Sequence, residues 1–202
     1  FMTNSFDLTV GDEVVLTRPT EALKMCGEVE GNIRVATFNL NEMQNRFLGD
    51  LNATDFTISY FETSTNGVLS NPIDTPASYT NTKYPQNIYV QVQRNVSPNC
   101  KATTQFELLI NLNPEPVLVQ NQILCVDEIT QEPLGIVNLN SGLLNATHDF
   151  VWTLNGQIIA GQNQATLMAN QPGIYEVTAT KKGTGCFATA NTTIIPSSKP
   201  IA

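Results

Sequence analysis

This chain of 202 residues holds one histidine, His148, and one tryptophan, Trp152. A Ser-His-Asp triad would have to use His148 as its base, and no G-x-S-x-G elbow accompanies it. Charge is scarce too: 14% of residues are Asp, Glu, Lys or Arg, against about 25% in an average soluble domain. The 10 basic residues face 18 acidic ones, a net charge of −8, which argues against a nucleic-acid partner, whose phosphates need a basic surface. Apolar runs are short, FELLI at 106–110 being typical, so no membrane insertion is expected. No charged and apolar leader opens the chain. Phosphate loop, dinucleotide fingerprint, HExxH and CxxC are all missing. A glycosidase would need two carboxylates set across a cleft, which small sandwiches seldom provide. The expectation is a non-enzyme with no catalytic residue, no cofactor site and no metal site.

What fills the chain instead is uncharged and polar. It contains 24 Thr and 22 Asn, beside an apolar share of 41% that suffices for a core. Thr favours strands and Asn favours turns, so the composition predicts short strands joined by tight turns. Four cysteines, Cys26, Cys100, Cys125 and Cys186, lie far apart. An even number spread through such a chain predicts disulfides and an oxidising, extracellular location. Four cysteines allow three connectivities.

Three segments are versions of one another. KATTQFELLI at 101–110 aligns without a gap to FMTNSFDLTV at 1–10, and FATANTTII at 187–195 follows Cys186 as the first follows Cys100. Self-similarity of this kind predicts an array of like modules, each ending in the same strand. Residues 1–10 then read as the last strand of a preceding module, and the chain as a piece of a longer one. Residues 11–113 form one sandwich module, 114–196 a second, and 197–202 a linker. Asn113-Pro114-Glu115-Pro116 is a semi-rigid joint between them. Each module repeats cysteine, strands, cysteine, final strand, which selects the pairs Cys26–Cys100 and Cys125–Cys186.

Within the first module, VVLTRPTEALKMC is a strand broken by Pro19, and IRVATFNL, FTISYFET and QNIYVQVQRN alternate as strands do. Met43, Phe47 and Leu51 are four apart, predicting one short helix. Asn66-Gly67 marks a turn, and NPIDTPASYTNTKYP an irregular crossing between sheets. The second module offers about seven short strands, an Asn155-Gly156 hairpin, a buried Trp152 and a tyrosine-corner Tyr175. The fold class is all-β: tandem Ig-like or PKD-like antiparallel β-sandwiches, with one short helix in the first.

The first module resembles the repeat of very large secreted proteins of the phylum Bacteroidota, on Cys26, Phe38, Leu40, Tyr60, Tyr79, Asn81, Pro85, Ile88, Tyr89, Val90, Val92 and Cys100. The second resembles the Ig-like or PKD-like domain that often follows, on Trp152, Asn155, Gly156, Gly173, Tyr175, Val177, Gly185 and Cys186. Such a domain often precedes the gliding-motility-associated C-terminal region, the type B signal of the type IX secretion system. The resemblance implies an exported protein on the outer-membrane exterior, acting in cell adhesion or gliding motility. It also implies partners: neighbouring modules, and secretion and attachment machinery reached through a C-terminal region not present in this sequence. Relatives often carry an Asp-rich run after the first cysteine that could hold calcium. Here Glu28, Glu30 and Asn32 are a thin supply for an ion wanting six to eight oxygens, and a solvated acidic turn is expected.

Two functions follow. One is a structural stalk or adhesin segment directed at an extracellular surface or polysaccharide. The other is a carbohydrate-binding module of a secreted polysaccharide-degrading enzyme, whose aromatics would come from Tyr60, Phe61, Tyr79, Tyr84 and Tyr89.

Overall fold

A computed structural model describes residues 13–198. The expected strand at 1–10 and the last four residues of the expected linker lie outside the described residues. The chain divides between Asn111 and Leu112 into two compact units.

In the first unit β1 (Leu23–Glu30) turns at Gly31 into β2 (Ile33–Val35), and β3 (Thr37–Phe38) follows. β4 (Phe56–Thr65), β5 (Val68–Pro72), β6 (Tyr79–Thr80), β7 (Gln86–Arg94) and β8 (Ser97–Leu112) complete it. The main sheet has the order β2-β1-β8-β7-β4-β5, and β3 pairs with β6 apart from it. Alternation sends Ile88, Val90 and Val92 of β7 and Phe106, Leu108 and Ile110 of β8 to one buried face. A single-turn helix, Gln44–Leu48, is preceded by a 3-10 turn at Leu40–Met43. Met43 of the turn and Phe47 and Leu48 of the helix join the buried cluster of this unit, whereas Leu51, expected on the same helix face, lies past the helix end and packs only partly against it.

The segment expected to be one strand, IRVATFNL, is split. Its middle residue, Ala36, donates its buried N–H to the side chain of Asn81, at 2.8 Å, in place of a sheet partner. The chain therefore leaves the main sheet after β2 and re-pairs as β3. The expected acidic turn at 26–32 is also corrected. β1 continues to Glu30, paired with Ile33, and only Gly31 (φ 59°) and Asn32 turn.

Among the described residues the second unit contains seven strands. They are β9 (Gln122–Cys125), β10 (Val137–Asn140), β11 (His148–Leu154), β12 (Gln157–Ile158), β13 (Thr166–Ala169), β14 (Gly173–Lys181) and β15 (Phe187–Ser197). One sheet has the order β12-β11-β14-β15-β9, and β10 pairs with β13 in the other. All these pairs are antiparallel except β15 with β9, which run parallel. Between the layers lies an apolar core around Trp152, Leu139, Tyr175 and Val177. Each unit is a β-sandwich of Ig-like character, the fold class expected, with one short helix in the first.

Two devices hold the second sandwich in register. The Tyr175 hydroxyl donates back to the Gln171 carbonyl at 3.0 Å, the tyrosine corner. Asn155 and Gly156 both take positive φ, 50° and 80°, to close the β11–β12 hairpin. Its neighbour Gly173 (φ 145°) must lack a side chain, because a Cβ there would lie 2.7 Å from Leu154 Cδ1.

Candidate functional site

The four cysteines are in two states. Cys26 and Cys186 are disulfide-bonded, whereas Cys100 and Cys125 are free thiols. The expected pairs Cys26–Cys100 and Cys125–Cys186 each needed one of the free cysteines, so neither is formed.

Strand geometry explains both failures. Leu23 and Gly27 of β1 are buried, and Cys26 is exposed between Lys24 and Glu28 on the opposite parity. Cys100 is in phase with Phe106, Leu108 and Ile110 and packs partly against the core. Gly27 sits against Ile110, where an added Cβ would be 2.9 Å from Ile110 Cγ2. Cys100 is therefore some ten residues further along β8, about 33 Å at the usual strand rise. A disulfide spans Cα atoms only about 4.4–6.8 Å apart. In the second unit Cys125 pairs with Ser197, at the far end of β15 from Cys186, again a separation of about 35 Å. Cys125 is exposed, beside a buried Leu124.

Nor does a cystine sit in the second core. Val177, two residues after the tyrosine-corner Tyr175, stands where an antibody-type domain carries its second cysteine. It is fully buried and directly opposite Trp152. Trp152 donates its indole N–H to the Gln164 carbonyl at 2.8 Å, so its polar edge is satisfied without any sulfur neighbour. Cys186 itself is buried, yet stands outside its own unit's apolar cluster.

The crossing segment of the first unit is held by a polar cluster that the motif TNTKYPQ builds. Asn81, buried, accepts from the Ala36 N–H and donates to the carbonyls of Arg34 (2.8 Å) and Lys83 (3.0 Å). Leaving that buried N–H without an acceptor costs about 1–3 kcal/mol, so Asn81 is the pin that splits β2 from β3. Gln86, also buried, donates to the Tyr79 hydroxyl at 2.7 Å and accepts from the Thr82 N–H at 3.1 Å. Tyr79 in turn donates to Glu62 Oε1 at 2.7 Å. Burial, with the Glu62 carboxylate taking its hydrogen, pushes the Tyr79 phenol up to about 12, so it remains a donor at every physiological pH. The Arg34 guanidinium reaches the Ile110 carbonyl at 3.2 Å and lies 5.1 Å over the Tyr84 ring.

The remaining candidates are dispersed. Tyr60 and Tyr79 are core residues, and Tyr84 lies under Arg34. Phe61 and Tyr89 are half-buried and directly opposed across β4 and β7. Tyr89 borders a shallow groove of about 330 Å³, with Arg18, Leu69 and Gln105 among its walls. Glu28 and Glu30 are exposed on β1. Among the described residues, no group of three or more His, Cys, Asp or Glu is placed to hold a metal ion. His148 Nδ1 lies 3.0 Å from Thr147 Oγ1, and its ring tilts against Phe150. No helix among the described residues is long and apolar enough to cross a membrane.

No curated protein matches the sequence. Among solved structures it is similar to extracellular domains 3–5 of Drosophila OTK, with 10% identity and a TM-score of 0.41 over 90% of this chain and 62% of that one. It is also similar to the N-terminal four Ig domains of Dscam1 isoform 7.44, at 10% identity and 0.34 over 94% and 47%. A third is the three N-terminal domains of the bacteriophage RB49 outer capsid protein Hoc, at 16% identity and 0.30 over 70% and 48%. The chain thus spans less than two thirds of the length of each of these structures. Residues 22–116, just under half of the chain, match the family model described as the Flavobacterium inter-domain disulphide bond domain.

Proposed function

We propose that the chain is a non-catalytic structural segment of a large secreted cell-surface protein, in which a cystine between Cys26 and Cys186 ties two Ig-like units together. The cysteine inventory carries this reading. One bonded cysteine lies in each unit and the other two are free, so within a single chain only one partner is left for each. The description of the matching family as an inter-domain disulphide bond domain supports the same link. A structural disulfide persists in an oxidising space, which favours export. Placement on the outer-membrane exterior, type IX secretion and a role in adhesion or gliding rest on the likeness of the two modules to Bacteroidota surface repeats. In that setting the segment is a stalk, and its partners are neighbouring modules, the attachment machinery and an extracellular surface or polysaccharide. Digestion of the unreduced protein should yield one linked peptide pair holding Cys26 and Cys186, with Cys100 and Cys125 alkylated without reductant. A peptide linking Cys26 to Cys100 would refute the proposal.

A second reading, a carbohydrate-binding module, draws on the opposed Phe61 and Tyr89 beside the groove. Ring faces stack on sugars, and amide and guanidinium groups bond their hydroxyls. It requires retardation of the protein in gels containing neutral polysaccharide, abolished by Tyr89→Ala. Free migration in gels of glucan, xylan and mannan alike would eliminate it.

A further inference from the structure

Two turns of this chain share one dipeptide and one backbone form. Asn66-Gly67 joins β4 to β5 with φ values of 51° and 81°, and Asn155-Gly156 joins β11 to β12 with 50° and 80°. In both, the glycine leaves its amide nitrogen unshielded beside the carboxamide of the preceding asparagine. What differs is the hold on that carboxamide. Asn155 Oδ1 accepts the Ile174 N–H at 3.0 Å. The same amide lies so close over Gly173 that an added Cβ would stand 2.9 Å from Oδ1 and 3.0 Å from Nδ2. The Asn155 side chain is therefore committed to β14. Asn66 is exposed, and among the described residues no hydrogen bond holds its carboxamide.

We propose that Asn66 is a site of spontaneous deamidation and that Asn155, in the same dipeptide, is protected by its bond to Ile174. The Gly67 amide nitrogen attacks Cγ of Asn66, forming a C–N bond and closing a succinimide. The bond from Cγ to Nδ2 breaks, and the Gly67 proton leaves with that nitrogen as ammonia. Water then opens the ring at either carbonyl, giving aspartate or isoaspartate. No oxidant, metal or enzyme enters the balance. The product adds a negative charge at the hairpin tip. In the isoaspartate form it also adds a backbone atom to a two-residue turn that sets Thr65 opposite Val68. Because β5 is the edge strand of its sheet among the described residues, a change of register there frees the edge without disturbing the strands behind it.

The test follows the unmodified protein in mildly alkaline buffer made with heavy-oxygen water, with both turns read by peptide mass spectrometry. Asn66 should gain label roughly five- to tenfold faster than Asn155, the rate equivalent of the one hydrogen bond that Asn155 must first break. In urea-unfolded protein the two sites should react at similar rates. Equal rates in the folded protein, or faster loss at Asn155, would overturn the proposal, as would a difference that persists unchanged on unfolding.

Discussion

Pulled by its two ends, the oxidised protein should lengthen by no more than about 140 Å, because only some 40 residues lie outside a loop closed at Cys26 and Cys186 and each extends by about 3.5 Å. Reduction should release the roughly 160 residues between them and add about 550 Å more by the same reach. With the proposed Cys26–Cys186 cystine, the load passes through the sulfur bond, and both sandwich cores are shielded from it. Cys26→Ser should make the oxidised protein extend as the reduced one does. The measurement is single-molecule extension with and without reductant. Equal gains in the two conditions would reject the link between Cys26 and Cys186, and with it the stalk mechanism in which both units bear load as one.

Replacement of Trp152 by Ala should cost about 3–5 kcal/mol, the range for emptying a fully buried aromatic site. Trp152 is the largest fully buried side chain, with Val177 directly opposite and Leu139 in the same cluster. A Phe at the same position would keep most of the packing and lose the indole donor to Gln164. Its cost should be nearer 1–2 kcal/mol, the loss of one hydrogen bond plus a partial cavity. Urea unfolding followed by circular dichroism separates the two variants. A Trp152→Ala loss below that of Trp152→Phe would show that the core closes around something other than this ring.

Much of the second sandwich was legible because its signals are local. The Asn155-Gly156 turn, the alternation in β11 and β14, and Tyr175 each act within a few residues of themselves. The single-turn helix was equally readable, since Met43 and Phe47 announce their shared face by spacing alone. The break at Ala36 was not readable from IRVATFNL, because the group that replaces its sheet partner, Asn81, lies far along the chain. The cysteine pairing failed for another reason. The order of cysteines along the modules carries no information about the phase of the strands that hold them. Cys26 is out of phase with Leu23, and Cys100 is in phase with Phe106, so a period-two reading of both strands would have separated them. For Cys125 no such signal existed, since either Ile123 or Leu124 could have faced the core. The aromatic cluster of the first unit misled in a similar way. Tyr60 and Tyr79 are neighbours of Phe61 in sequence or motif, but alternation and the Gln86 bond turn them inward.

The placement of Val177 opposite Trp152, with no cysteine in the second unit's apolar cluster, bears on the order of assembly. A sandwich whose interior is complete in hydrocarbon reaches its native packing with all thiols reduced. Oxidation then acts on an exposed Cys26 and a buried Cys186 that both stand apart from that cluster, as a latch applied after folding instead of a condition for it. On the proposed function, such a chain can be made and held in a reducing cytoplasm without trapping mispaired cores, and the Cys26–Cys186 cystine forms only after export to an oxidising space.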